Sequence, residues 1–394
     1  MVTLSQWVEI VVSTSITVRF LQELVDAREQ ERIILTSSTY QFRGATYTSS
    51  FMAKINDLIA FFFAAVTLSN LLGRARVTEA YDTVPLVPGY YGESCPVAEK
   101  IVREQVKIAI RKNPRIAASL LRLHFHDCFV MGCDASVLLD NGVGVASEKD
   151  AGPNRNSLRG FDVVDKTKSL LEKACPGTVS CADLLAIAAR DAVNLRGGPY
   201  WKVELGRRDS LTASQTGANQ YIPSPNSTLE MLVANFAVQG LSPTDLVVLS
   251  GSHTIGRSRC LSFKQRIYAG AGEEEYYYDR HRRYTGFRRI LRSICPRSTK
   301  RDNALVPLDF MTSTRFDNAY FRNVLQGKGL LQTDNVLITE DTEGGVSKLV
   351  WRFAADQELF FREFPVSIVK MGRINPLVGE VGEIRRNCRA LNAW

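Results

Sequence analysis

Residues Leu121–Ser136 read LRLHFHDCFVMGCDAS and gather two of the chain's four histidines, two of its eight cysteines, two aspartates and Arg122. Two kinds of chemistry are open to such a stretch. On a strand, His124 and His126 would share one face, as a zinc site requires. On a helix they lie about 200° apart around the axis, and Arg122 and His126, four apart, share a face instead. An imidazole beside a fixed guanidinium is a poor metal ligand, yet it can serve as a general base next to an anion stabiliser. The helical reading therefore predicts one working histidine, His126, and one that faces away.

The elements that must hold this stretch are mostly helical. Val97–Lys112 carries helical spacing through Ile101, Val106 and Ile110. Asn113-Pro114 then predicts a break, with Pro114 at the first helical position of the stretch above. A polar, glycine-rich loop follows Ser136 to about Ser157. Phe161–Ala174 and Ala182–Leu195 read as helices, the second behind a Ser180-Cys-Ala-Asp183 capping box and ahead of Gly197-Gly198. Pro223-Ser-Pro225 is a stiff turn. Ser242-Pro-Thr-Asp245 opens a short helix that runs into Ser252-His253-Thr254. Phe316–Gln326 and Val346–Met371 complete the helical set, and Gly206–Ile222 reads as the one long irregular piece. The expected fold is all-α, one domain with room for two lobes.

The chain has 394 residues, 45% of them hydrophobic, which suffices for a core in one large domain or two small ones. Residues 1–51 hold no cysteine and no sustained period. Met52-Ala-Lys-Ile-Asn, followed by the apolar run Leu58–Leu68, reads as a secretory signal with small residues near Ala75 or Ala80 for cleavage. That run is too short for a comfortable transmembrane helix. The expected organisation is an uncharacterised extension over 1–51 that arises from the gene model, a signal peptide over 52–80, and a folded domain over 81–394.

The net charge is +8, and nine of the 22 residues from Arg280 to Arg301 are basic. No nucleic-acid-binding motif accompanies this run. It is expected to be a solvated face or a contact for a polyanionic matrix. The cysteines spread from Cys95 to Cys388 without a Cys-x-x-Cys pair, which favours disulfides and an oxidising compartment over a zinc ribbon. Eight cysteines allow roughly a hundred connectivities, and spacing alone does not choose among them.

Several segments, in order, resemble the class III secretory plant peroxidases: LLRLHFHDCFVMGCDAS, PNRNSLRGFDVVD, GTVSCADLLAIAARDAV, DLVVLSGSHTIGRSRC, RFDNAYF, GLLQTDNVL and EIRRNCR. The resemblance runs from about Tyr91 to Asn392. It implies a two-lobed haem peroxidase domain over 81–394, with one haem b between distal and proximal helices and two calcium ions. Arg122, Phe125 and His126 fall on the distal catalytic positions, with Asn154 holding the imidazole in its basic tautomer. His253 falls on the proximal iron ligand and Asp334 on the carboxylate that accepts its other ring N–H.

The same resemblance implies a distal calcium shell from Asp127, Asp134 and Ser136 with the carbonyls of Val130 and Gly132, and Glu148 linked to it through water. Thr254, Asp309, Thr312 and Asp317, with the carbonyl of Arg315, fall on the proximal calcium positions. Both are all-oxygen sets, as calcium prefers. Cysteine pairs Cys95–Cys175, Cys128–Cys133, Cys181–Cys388 and Cys260–Cys295 are implied as well. Pro223 falls at the rim where aromatic donors bind; the aromatic residues that clasp donors in some members are replaced nearby by Gly152, Asn226 and Ser262. Ser313 interrupts what is often a Thr-Pro turn in the proximal calcium loop, and Asn226-Ser-Thr is a lone glycosylation sequon.

The activity implied is reduction of hydrogen peroxide with one-electron oxidation of small phenolic donors, by a monomeric enzyme without nucleic-acid or membrane partners. Since the sequence stops six residues after Cys388, the cell wall is expected in preference to the vacuole. The rival readings are an intracellular ascorbate-type peroxidase and a non-catalytic haem- or calcium-binding wall protein.

Overall fold

The computed structural model describes residues 85–268 and 282–393. The expectations for 1–51 and 52–80 lie outside these residues, as does His281. Among the described residues there are thirteen α-helices and four strands of two or three residues. The helices fall into two packed groups.

The first group is built on α1 (Ala98–Lys112), α2 (Ile116–Cys128), α3 (Phe161–Ala174) and α4 (Cys181–Leu195). Helix α1 buries Ala98, Val102, Val106 and Ile110, a strict four-residue stripe. Helix α4 is the centre of this group, packed against α1, α2 and α3. It is buried on every side from Cys181 to Val193, which its alanine-rich sequence permits. Its Ser180 cap forms only half of the expected box. The Ser180 hydroxyl accepts from the Asp183 amide, but the Asp183 carboxylate turns inward to Tyr91, Gly206 and Arg207. A buried tyrosine and arginine offered that carboxylate stronger partners than its own helix end.

Helices α5 (Gln215–Tyr221), α6 (Leu229–Val238), α7 (Pro243–Ser250), α8 (Lys264–Ile267) and α9 (Arg282–Ile294) follow. Then come α10 (Ala319–Leu325), α11 (Gln332–Thr339), α12 (Gly345–Ala355) and α13 (Gln357–Met371). The second group packs α7 against α6, α12 and α13, and α12 against α10 and α11. Strand β1 (Val87–Pro88) pairs with β2 (Glu204–Leu205), and β3 (Arg257–Arg259) with β4 (Leu305–Pro307), both antiparallel.

Four local expectations need correction. Pro114 is not the first residue of α2, which begins at Ile116. Asn113 makes a turn first, its side chain accepting from the Arg115 amide and its carbonyl from that of Ile116. Gly206–Ile222 is not wholly irregular, because Ser214 caps the short helix α5. Phe316–Gln326 shrinks to α10. Val346–Met371 is two helices, broken at Asp356, whose extended backbone frees its side chain to cap α13 at Leu359.

The two groups meet close to the histidines. Gly256, three residues beyond His253, has φ +105°, and a Cβ there would sit 2.9 Å from Ala118 Cβ on α2. Ala118 lies one turn below Arg122 on the same face. Only glycine gives both that conformation and that approach. On the far side of α2, Phe129 packs edge-on against Phe236 of α6, and Gln239 donates to the Phe129 carbonyl. All eight cysteines are paired, as Cys95–Cys175, Cys128–Cys133, Cys181–Cys388 and Cys260–Cys295, the pairs that the resemblance implies.

Candidate active site

His126 lies on the last turn of α2 and is buried. Its Nδ1 is 2.6 Å from Asn154 Oδ1. The Asn154 amide nitrogen donates to the Glu148 carbonyl, so its oxygen must be the atom that faces the imidazole. The proton of His126 therefore resides on Nδ1, and Nε2 carries a lone pair with no partner among the described residues. Burial, then the charge of Arg122, holds the His126 pKa well below its usual value. The result is a neutral base with a defined reactive nitrogen.

Arg122, four residues earlier, is anchored by the Pro153 carbonyl at 2.9 Å and the Ser157 hydroxyl at 3.2 Å. No carboxylate among the described residues pairs with it. Burial and the Arg259 guanidinium bring its pKa down to about 10, so it stays cationic at neutral pH. Phe125 is partly buried, its ring edge-on to His126 at 5.2 Å and to Phe129 at 4.5 Å. His124 points elsewhere. It is buried against the Cys128 sulfur and lines a separate small cavity with Trp201, Glu204 and Arg207. Burial and Arg207 lower its pKa to about 3, which keeps it neutral and out of the chemistry.

His253 sits in the 3-10 turn Gly251–Thr254 that continues α7. Its Nδ1 donates to Asp334 Oδ1 at 2.8 Å. Asp334 is fixed in turn by the Leu331 amide at the start of α11 and by the Tyr320 hydroxyl. The His253 side chain keeps 36% of its surface accessible, and its Nε2 makes no hydrogen bond among the described residues. An imidazole with one nitrogen tied to a carboxylate and the other free and accessible is prepared for a metal. These residues fit a haem iron.

The distal loop draws together Asp127, Val130, Gly132, Asp134 and Ser136. Three residues there, Met131, Gly132 and Ala135, take positive φ. A Cβ on Gly132 would collide with the Asn375 backbone. Asp127 Oδ1, Ser136 Oγ and Glu148 Oε2 are buried without a hydrogen-bond partner among the described residues. Burial raises the Asp127 pKa well above the ordinary range, Asp134 to about 6 and Glu148 to about 8. Orphaned, desolvated carboxylate and hydroxyl oxygens are what a hard cation satisfies. No group of three or more His, Cys, Asp or Glu side chains is arranged for a metal among the described residues; hydroxyls and carbonyls would have to complete either shell.

The proximal counterparts Thr254, Asp309, Thr312 and Asp317 also converge. Thr254 Oγ1 is 3.1 Å from Asp309 and 3.2 Å from Asp317, and Thr312 Oγ1 is 2.9 Å from Asp317. Arg315 directs its exposed guanidinium toward Asp317 at 3.8 Å. Pro223 is half-buried beside Ile222, and the loop it stiffens is tied to α11 by a Thr333–Pro225 hydrogen bond. Asn226 is exposed.

Tyr320, Ser157 and Arg385 are site residues that sequence reasoning missed. Arg385 is wholly buried, donating to the carbonyls of Ala135 and Cys388, and so ties the distal loop to the C-terminal disulfide. Nothing in their local patterns marks these residues, because each acts over a distance of 14 residues or more.

A neutral imidazole beside a guanidinium that is held by a carbonyl and a hydroxyl, in a mostly helical frame that also holds a carboxylate-tied imidazole, is the arrangement of a haem peroxidase. Comparison with known proteins agrees. The peroxidase family profile matches residues 102–356, and the chain belongs to that family, as a class III member. It is 59% identical over 308 residues to Peroxidase 20 of Arabidopsis thaliana, covering 78% of this chain and 91% of that one. Peroxidase 9 of the same plant is 53% identical over 315 residues, covering 78% and 87%. Peroxidase N of Armoracia rusticana is 48% identical over 310 residues, covering 78% and 91%.

Proposed function

We infer that this peroxidase reduces hydrogen peroxide to water and oxidises small phenolic donors by one electron at a time. One observation carries the reading: Asn154 fixes the proton of His126 on Nδ1 and leaves Nε2 as the base. Haem bound through His253 would supply the iron centre that accepts peroxide and passes oxidising equivalents to the donor. His126 Nε2 takes a proton from one peroxide oxygen and returns it to the other. Arg122, charged and without a carboxylate partner among the described residues, stabilises the negative charge that develops between them. Acid–base elements of this kind contribute roughly a hundredfold or more in rate. Asp334 keeps the His253 ring oriented and electron-rich.

The distal calcium would be held by Asp127, Asp134 and Ser136 with the carbonyls of Val130 and Gly132, and the proximal one by Thr254, Asp309, Thr312, Asp317 and the Arg315 carbonyl. Phenolic donors would approach past Pro223. Secretion through the 52–80 leader, a mature domain over 81–394, a monomeric state and attachment of the 280–301 run to polyanionic wall material complete the proposal. Disulfides and the leader motif support an oxidising, extracytosolic setting.

The test is to load the protein with haem and calcium, add peroxide, and follow the Soret band and the oxidation of guaiacol and of ascorbate. A peroxide-driven Soret shift with guaiacol preferred is expected. A haem-loaded protein whose Soret band ignores peroxide would sink the reading, and a preference for ascorbate would move it to the intracellular type.

A further inference from the structure

We propose that Tyr320 is a positioning residue that sets the electron donation of His253 by competing for the same carboxylate oxygen. Asp334 Oδ1 accepts from His253 Nδ1 at 2.8 Å and from the Tyr320 hydroxyl at 3.1 Å. The other oxygen, Oδ2, accepts from the Leu331 amide at 2.9 Å. Tyr320 is 1% exposed, on α10, and its ring stands edge-on to the His253 ring with centroids 6.0 Å apart.

A carboxylate that receives one donor draws that proton strongly and makes the imidazole more anionic. Each further donor on the same oxygen spreads its charge and weakens the pull. Packing alone would be served by phenylalanine here, since neighbouring Phe321 and Phe353 fill the adjoining core with bare rings. The hydroxyl is what the position adds. A buried hydroxyl with no partner would be costly, and Tyr320 spends its proton on the oxygen that orients the iron ligand.

The proposal rests on His253 being that ligand. It predicts that Tyr320→Phe strengthens the His253–Asp334 hydrogen bond and makes the ligand more basic. In the haem-loaded protein the ferrous iron–histidine stretching band should move to higher frequency. The ferric–ferrous equilibrium should move toward ferric by about tenfold, which for a one-electron couple is about 59 mV. Asp334→Asn should shift both in the opposite direction, and adding Tyr320→Phe to it should change little. If Tyr320→Phe does not load haem, the unmodified cyanide-bound ferric protein answers by NMR. A slowly exchanging phenol proton coupled through space to His253 Nδ1–H is then expected. A haem-loaded Tyr320→Phe with unmoved or oppositely moved band and potential, or the absence of that phenol proton, overturns the proposal. A His253→Ala protein that keeps its haem overturns the ligand assignment instead.

Discussion

The carboxylates beneath the two histidines are held in opposite ways. On the distal side Asp127 and Glu148 each keep one buried oxygen without a donor among the described residues, and burial raises the pKa of these two and of Asp134. On the proximal side Asp309 receives the amides of Met311 and Thr312, the Asn323 side chain and the Thr254 hydroxyl. Asp317 receives the Ala319 amide and the Thr312 hydroxyl. The proximal acids are satisfied by the protein itself, whereas Asp127 and Glu148 leave an oxygen that a cation would satisfy. The distal loop is also the one joined directly to the acid–base pair, because Asn154 bridges His126 and the Glu148 backbone. Dependence on calcium should therefore fall mainly on the half that handles peroxide.

The sharpest contrast between the halves is between their histidines. His253→Ala should abolish haem retention, read as loss of the Soret band after gel filtration. His126→Ala should keep the haem yet slow the reaction with peroxide by at least about a hundredfold in stopped flow. Equal haem loss in both variants would erase the distinction.

A pair of charge-neutral substitutions probes the acids. Asp127→Asn should destabilise the calcium-loaded protein but stabilise the chelated one by about 1–3 kcal/mol, since it removes a buried, underpaired charge. Asp309→Asn should destabilise under both conditions, because it breaks hydrogen bonds present without any ion. Thermal melts with and without chelator decide this, and the same sign for Asp127→Asn in both would break the comparison.

The same acids also predict a pH slope. In the calcium-free chain the folded pKa values of Asp134 and Glu148, about 6 and about 8, lie above their unfolded values near about 4. The folded state then binds more protons between those limits, so the stability these two acids contribute is greatest below about pH 4 and falls as pH rises to about 8. Calcium, which favours the ionised form, should remove or reverse the slope in the same melts.

Much of this site was legible in advance, and particular residues show why. Arg122 and His126 share a helical face by spacing alone, and the same arithmetic turns His124 away. Ser242-Pro-Thr-Asp245 opens the short helix expected of it, and Ser242 and Asp245 close a capping box there. What local pattern misjudged was short or contested structure. Helix α11, which carries Asp334, has only eight residues and no sustained apolar stripe, so nothing in its period sets it apart. Asp356 breaks an otherwise continuous apolar period, a choice between capping and continuing that propensity does not settle. Asp183 left its own helix cap for Tyr91 and Arg207, partners 92 and 24 residues away.

The sequence by itself determined which groups were available and which lay on one helix face, because 3.6 residues per turn is a local property of the backbone. It also supplied, through its motifs, the family and hence the expected chemistry. Only the tertiary structure decided which nitrogen of His126 bears the proton, which oxygen of Asp334 is shared, and which acids lack donors. Those outcomes depend on hydrogen bonds between residues 28 and 81 apart, or on burial by several helices at once. Neither exists until the two helical groups have closed around the site.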